Sequence, residues 1–257
     1  MPVIETLKKI KRMVHRAAEI YDEDKHRRAQ YPDFEPAHLD TLNVVRPYTM
    51  TSPERVHALI EAVKYVTRSR VPGAIVECGV WRGGSMMAAA RTLLSLGSSE
   101  RDLYLFDTFE GMSPPSEHDV DMGGQRAGAM LATQSKTDAG SYWCYASLED
   151  VRGALAQVGY PAERVHYVKG KVEETVPAQA PQQIALLRLD TDWYESTRHE
   201  LEHLYPRLSP GGVIVFDDFC WSTSAAQYEA EIEWFRSRGL TVFPLPTGQG
   251  LFVKPPA

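Results

Sequence analysis

Cysteine is scarce in this chain: Cys78, Cys144 and Cys220 are the only three in 257 residues. Their odd number and wide spacing exclude a disulfide framework and a Cys-x-x-Cys zinc pattern, and point to a reducing cytoplasm. Long apolar runs are missing too. The most apolar stretches (residues 73–76, 184–189 and 213–216) have strand length, against the roughly 20 apolar residues of a spanning helix. Lys8, Lys9, Lys11 and Arg12 precede no apolar core of signal-peptide length. They alternate with Ile4, Leu7, Ile10 and Val14, as on the solvated face of an amphipathic helix. Basic charge is not in excess: 28 Lys and Arg stand against 34 Asp and Glu, a net charge of −6. Such a surface does not suit gripping phosphate backbones, so nucleic acid is excluded as the main partner and a membrane is not expected. Internal repeats and low-complexity tracts are absent. A hydrophobic share of 43% is ordinary for a globular chain, and the length buries a sizeable core.

The rhythm of the chain changes near residue 70. Residues 3–29 carry a helical pattern, ended by Tyr31-Pro32 and Glu35-Pro36. Thr51-Ser52-Pro53-Glu54 then reads as a helix start with proline in the first turn, running to about residue 69. After Val71-Pro72-Gly73, strands alternate with helices. Strands are expected at residues 74–78, 103–106, 165–169, 184–189 and 213–216. Helices are expected over residues 85–96, 148–157, 195–205 and 228–238. Residues 241–245 and 251–254 read as a terminal hairpin through Gly248-Gln249-Gly250. This pattern predicts an α/β fold, a doubly wound, mostly parallel seven-stranded sheet with a C-terminal antiparallel hairpin. Residues 1–70 form a helical N-terminal extension or lid, and residues 71–257 the main domain. The long irregular stretch 107–145, rich in Gly, Pro, Ser and Asp, reads as a mobile insertion.

In doubly wound sheets ligands sit beyond the carboxyl ends of the strands. The first such end is Glu77-Cys78-Gly79-Val80-Trp81-Arg82-Gly83-Gly84-Ser85. Its spacing is Glu-x-Gly-x-x-x-Gly rather than a phosphate-binding Gly-x-Gly-x-x-Gly, which disfavours a nicotinamide oxidoreductase. A carboxylate at that point suits a cationic ligand such as a sulfonium amino acid. The second strand ends at Asp107, the expected acceptor for two ribose hydroxyls. Together Glu77, the Gly79 and Gly83 turn and Asp107 resemble the S-adenosylmethionine pocket of class I (Rossmann-like) methyltransferases.

The next strand ends are more specific: Leu189-Asp190-Thr191-Asp192-Trp193-Tyr194-Glu195-Ser196 and Phe216-Asp217-Asp218. If these strands are neighbours, Asp190, Asp217 and Asp218 converge, and three carboxylates repel unless a cation sits among them. All-oxygen ligation favours Mg²⁺, with Mn²⁺ or Ca²⁺ as other hard cations, over zinc. Asp192 shares a face with Asp190 and is the candidate general base. Helix capping accounts for one carboxylate, but not for two acidic pairs at strand ends.

These motifs, with Arg46-Pro-Tyr-Thr-Met-Thr-Ser-Pro-Glu-Arg55, Phe106-Asp-Thr-Phe-Glu-Gly-Met112 and Gly170-Lys-Val-Glu-Glu-Thr175, resemble the macrocin O-methyltransferase family. Its members are magnesium-dependent sugar O-methyltransferases of macrolide and aminocoumarin biosynthesis. The resemblance runs from about residue 40 onward and implies Asp190, Asp217 and Asp218 as metal ligands and Asp192 as base. It further implies a cofactor pocket drawing on Thr49 and Met50, on Glu77, Cys78, Gly79, Val80 and Trp81, and on Ser85. Asp107, Thr108, Phe109, Gly111, Ser147 and Val172 complete that pocket, and Asp190 borders it. The implied acceptor is a vicinal diol on a sugar of a glycosylated small molecule, and the implied assembly a homodimer or larger homo-oligomer. The first 40 residues match the pattern poorly and are expected to shape the acceptor pocket or a dimer contact. A catechol or phenolic acceptor, and a non-catalytic nucleoside-binding module on the same fold, are the alternatives.

Two further groups tempt a metal reading. Glu117-His118-Asp119-Val120-Asp121 reads instead as a solvated lid, and His199 and His203 as helix-face residues without a third ligand. Trp143 and Tyr145 are candidates for stacking on adenine or on the acceptor.

Overall fold

A central sheet of seven strands organises the computed structural model, which describes residues 29–121, 123–138, 141–219 and 225–256. The strands are β1 (Ala74–Cys78), β2 (Leu103–Asp107), β3 (Val165–Lys169), β4 (Ile184–Leu189), β5 (Leu208–Phe216), β6 (Phe243–Pro244) and β7 (Gly250–Val253). Their order is β3-β2-β1-β4-β5-β7-β6, with the first five parallel and β7 antiparallel to both β5 and β6. Order reverses between β1 and β4, where a doubly wound sheet opens its ligand crevice.

The helices are α1 (Pro36–Val45), α2 (Pro53–Arg68), α3 (Gly84–Ser95), α4 (Ala127–Ala132), α5 (Leu148–Ala156), α6 (Val172–Thr175), α7 (Tyr194–Leu204) and α8 (Ala225–Arg236). Helix α2 starts where the hydroxyl-proline signal puts it: the Ser52 side chain accepts from the Arg55 amide and Pro53 occupies the first turn. Contacts divide the chain into residues 1–40 and 41–257. Helix α2, grouped by sequence with the N-terminal extension, lies in the second unit and packs Val56, Leu59, Ile60 and Val63 into its core. In the first unit, the rings of Tyr31 and Phe34 stack 4.7 Å apart. The helix expected over residues 3–29 falls almost wholly outside the described residues.

Both faces of the sheet are covered. On one, α2, α3 and α5 bury Leu59, Met87, Leu93 and Val151 against Ile75, Leu103 and Val215. On the other, α7 and α8 bury Leu201, Leu204, Trp234 and Phe235 against Val76, Leu187, Ile214 and Phe216. Strands enclosed on both faces are mostly apolar, and β1 and β4 are buried at every position, with Glu77 and Arg188 as the charged exceptions. At roughly 25 cal/mol per Å² of apolar surface, this burial is the main favourable contribution to folding. No described helix is long and apolar enough to cross a membrane.

Candidate active site

The carboxyl ends of β1, β2, β4 and β5 open into a cavity of about 370 Å³. The first wall is the turn after β1. Gly79 has φ +82° and Gly83 φ +87°, a region that favours glycine. A Cβ on Gly79 would overlap the Asp190 carbonyl, so the β1 and β4 turns meet backbone to backbone. Trp81 shares the left-handed region at φ +46°. Asp107 holds this turn in shape: its Oδ2 accepts from the amides of Val80 at 2.7 Å and Trp81 at 3.2 Å, and its Oδ1 from Phe109 at 2.6 Å. Burial raises the Asp107 carboxyl against the pull of those amides.

The second wall is acidic. Carboxylate oxygens of Asp190, Asp192 and Asp218 lie within 4.8 Å of one another. Behind them Arg188, only 4% exposed, donates to Glu77 at 2.8 Å, Asp190 at 2.8 Å and Asp217 at 3.0 Å. Glu77 and Arg188 are register partners on adjacent strands, so the pair follows from the sheet itself. Arg55 reaches in from α2, donating to Asp217 at 3.1 Å and Asp218 at 2.9 Å, and to the Thr247 carbonyl. Gln249 donates at 2.8 Å to Asp217 Oδ1, the oxygen that Arg188 also reaches, while Arg55 holds Oδ2.

Five carboxylates thus meet two guanidiniums. Burial pushes Glu77 up to about 7 despite Arg188. Burial would lower Arg188, yet Asp190, Asp217 and Glu77 hold it well above its ordinary value. Burial drives Asp190 well up against the pull of Arg188, with the charges of Asp217 and Asp218 adding to the rise. Asp218 rises for the same two reasons, burial first and then Asp217. An excess of close carboxylate oxygens over guanidiniums fits a hard divalent cation.

The sequence-predicted residues fall into two groups. Thr49, Met50, Gly79, Val80, Trp81, Ser85, Asp107, Thr108, Gly111 and Val172 line the cavity with Asp190, Asp192, Asp217 and Asp218. Glu77, Cys78, Phe109 and Ser147 do not. Glu77 is 1% exposed and turned to Arg188, which is the cation it faces here. Cys78 and Phe109 are buried in the core. Ser147 caps α5, its hydroxyl accepting from the Asp150 amide in a capping box. Asp217 also differs from the expectation for a metal ligand, because both its oxygens already serve Arg55, Arg188 and Gln249. Asp119, expected in a solvated lid, is 2% exposed and bonded to the start of α7. His199 lies on its helix as read, its Nε2 2.9 Å from the Val176 carbonyl oxygen. Trp143 turns its Nε1 to the Leu131 carbonyl, while its neighbour Cys144 lines the cavity.

Arg55 and Arg188 are the site residues that motif reading passed over. Arg188 had a signal, a lone charge inside the apolar run Ile184–Leu189. Arg55 had none, because its partners lie 162 and 163 residues away.

Comparison with known proteins shows the family and the fold. The sequence profile of the macrocin O-methyltransferase (TylF) family matches residues 4–241, and so extends through the first 40 residues that the motifs left out. The chain is 34% identical to the 8-demethyl-8-(2,3-dimethoxy-alpha-L-rhamnosyl)-tetracenomycin-C 4′-O-methyltransferase of Streptomyces olivaceus, over 73% of this chain and 69% of that one. It is 31% identical to the mycinamicin III 3″-O-methyltransferase of Micromonospora griseorubida, over 67% of this chain and 65% of the relative. Among solved structures, the O-methyltransferase NovP superposes with a TM-score of 0.71 at 25% identity, covering 81% of this chain and 83% of its own. The calicheamicin methyltransferase CalS11, at 22% identity, shares the fold with a TM-score of 0.63 over 90% of this chain and 91% of its own.

Proposed function

Because the chain belongs to the macrocin O-methyltransferase family and is an O-methyltransferase, we propose that it methylates a sugar hydroxyl of a glycosylated natural product. The donor is S-adenosylmethionine, and a divalent cation, Mg²⁺ foremost, is held at the acidic edge. The observation that carries this reading is the acidic edge itself: Asp190, Asp192 and Asp218 converge at one end of a cavity whose other end is the glycine turn braced by Asp107. The relatives' activities, all methyl transfer to oxygen on glycosylated compounds, support the acceptor class.

Asp190 and Asp218 would hold the cation, and Asp217 joins them only if Arg55 or Gln249 releases one of its oxygens. Bound there, the cation supplies positive charge that makes a neighbouring acceptor hydroxyl easier to ionise. The donor supplies an electrophilic methyl on a sulfonium. The chain's own part is placement and proton transfer. Asp107 and the turn around Gly79 hold the nucleoside end, and the acidic edge sets the acceptor oxygen in line with the methyl. Asp192 takes the hydroxyl proton as the oxygen–carbon bond forms and the carbon–sulfur bond breaks.

Calorimetric titration of chelator-stripped protein tests both halves, first with S-adenosylmethionine and then with Mg²⁺ in the presence of S-adenosylhomocysteine. One site for each is expected, with Asp190→Ala abolishing only the metal step. Cofactor binding without metal binding would remove the cation from the reading, and binding of neither would remove the cofactor pocket as well. Asp192→Asn should keep cofactor affinity and lose about 10²- to 10⁴-fold in kcat; near-wild-type turnover would strip Asp192 of its role. A panel of sugar diols and catechols decides the acceptor, and turnover of catechols alone would overturn the sugar assignment.

A further inference from the structure

The turn carrying Asp192 is held from outside. Asp192 has φ +63°, a left-handed conformation that strains a non-glycine residue unless its surroundings hold it. It is followed by Trp193 at the N-cap of α7, whose indole cannot accept from the orphan amides of the first helical turn. The missing acceptor arrives from 75 residues upstream: Oδ1 of Asp119, in the insertion between β2 and α5, accepts from the Tyr194 amide at 2.9 Å. The neighbouring grip is on Trp193 itself, whose Nε1 donates to the Ser113 carbonyl at 3.1 Å. Ser113 and Trp193 both line the cavity, so this contact is part of its wall.

Asp119 is built for that position. It is 2% exposed. Its second oxygen accepts from the Ser116 amide at 2.6 Å and the Ser116 hydroxyl at 2.9 Å, closing the loop that presents it. Its own carbonyl accepts from the Ala127 amide at 2.9 Å, tying the loop to the start of α4. The His118 and Tyr194 rings lie 5.5 Å apart beside it. One buried carboxylate therefore satisfies the insertion with one oxygen and the catalytic turn with the other, and its negative charge faces the positive end of α7.

We infer that Asp119 is a positioning residue for the acidic edge: it clamps the insertion to the 190–193 turn, so that the wall of the acceptor cavity and the Asp190 and Asp192 carboxylates are set in place together. This rests on the reading of that edge as the cation and proton-transfer site. Asp119 touches neither acceptor nor cofactor in this arrangement; it acts through the backbone two residues after Asp192. An acceptor that displaces the insertion would move the base with it, which makes the clamp a means of linking acceptor fit to proton removal.

The test uses the full chain and needs no acceptor. Hydrogen exchange is followed in peptides covering residues 113–119 and 190–197, and Mn²⁺ is titrated in the presence of S-adenosylhomocysteine. Asp119→Ala should speed exchange in both peptides and weaken Mn²⁺ by about tenfold or more, while S-adenosylhomocysteine affinity stays unchanged. Asp119→Asn keeps one acceptor oxygen for the Tyr194 amide but sets an NH2 against the Ser116 amide, so it should recover residues 190–197 and Mn²⁺ affinity only in part and leave residues 113–119 fast-exchanging. Asp121→Ala is the control for general loosening: Asp121 closes a turn of the same insertion through the Gly123 and Gln125 amides and is not bonded to α7. It should leave residues 190–197 and Mn²⁺ affinity as in the wild type. Unchanged exchange at residues 190–197 in Asp119→Ala, or equal effects from Asp121→Ala, would overturn the clamp. Failure of the wild type to bind Mn²⁺ would count against the cation reading alone, because the exchange data still decide the clamp.

Discussion

Two sets of buried acids flank the central sheet, and the protein treats them in opposite ways. On the α2 side, Glu77, Asp190, Asp217 and Asp218 gather around Arg188 and Arg55, with hydrogen bonds of 2.8 to 3.1 Å. Between α7 and α8, Glu200 and Glu231 are both fully buried. No basic side chain among the described residues pairs with them. Glu200 has only the Thr191 hydroxyl and the Cys78 thiol beside its carboxyl, and Glu231 only the Gln227 amide at 2.9 Å. Burial drives both well above the usual carboxylate range, and each other's proximity adds to the rise at Glu231. The first set has guanidiniums built in beside it, which oppose the upward pull of burial. The second has no such counter-ion, so burial favours its protonated form unopposed by a cation. A carboxylate in a protein interior is thus defined as a site by what stands next to it, and only the first set is poised to take a further cation.

Exchanging those neighbours breaks the contrast. Arg188→Met removes the hub of the first set and leaves Glu77, Asp190 and Asp217 short of a counter-ion. It should cost about 3–5 kcal/mol in urea unfolding at pH 7, and a loss under about 1 kcal/mol would mean the acids do not depend on it. The second set is probed by pH. A glutamate whose folded pKa is raised adds stability that is full below its unfolded pKa near 4.5 and is lost as pH rises through the folded value. In that window the fall should be about 1.4 kcal/mol per pH unit for each group. The double variant Glu200→Leu, Glu231→Leu should reduce the slope by those two contributions and leave that of Glu77, Asp190 and Asp218, and an unchanged slope would assign the pH dependence elsewhere. The smallest effect is expected at the surface pair Arg198–Glu202, spaced i, i+4 and solvated. Arg198→Ala should leave the urea midpoint where it was, as exposed pairs contribute little.

The parallel core was legible because it is enclosed. Both-face burial makes β1 and β4 nearly continuous apolar runs, and their bounds were read to the residue. Strand β5 was read only from Val213, because Ser209-Pro210-Gly211-Gly212 has the composition of a turn. It is instead the irregular first half of a strand whose register shifts against β4. The acids at the strand ends were legible as well, since topology alone brings the ends of β4 and β5 side by side. Their division of labour was not. That Asp217 serves two arginines and a glutamine depends on Arg55 in α2 and Gln249 before β7, positions no local pattern connects. Asp119 was hidden for the same reason: a carboxylate in a polar loop looks solvated until the amide it meets is known.

The backbone-to-backbone contact at Gly79 has a consequence for how this enzyme can change. The gap between the nucleoside turn and the acidic turn is set by main-chain atoms of Gly79 and Asp190, with no side chain between them to enlarge or trim. A saturation library would therefore record position 79 as fixed although glycine contributes no chemistry. Met112 and Ser113 in the insertion and Thr49 to Ser52 in the N-terminal connector also line the cavity, and a change of side chain there can reshape it without moving that main-chain contact.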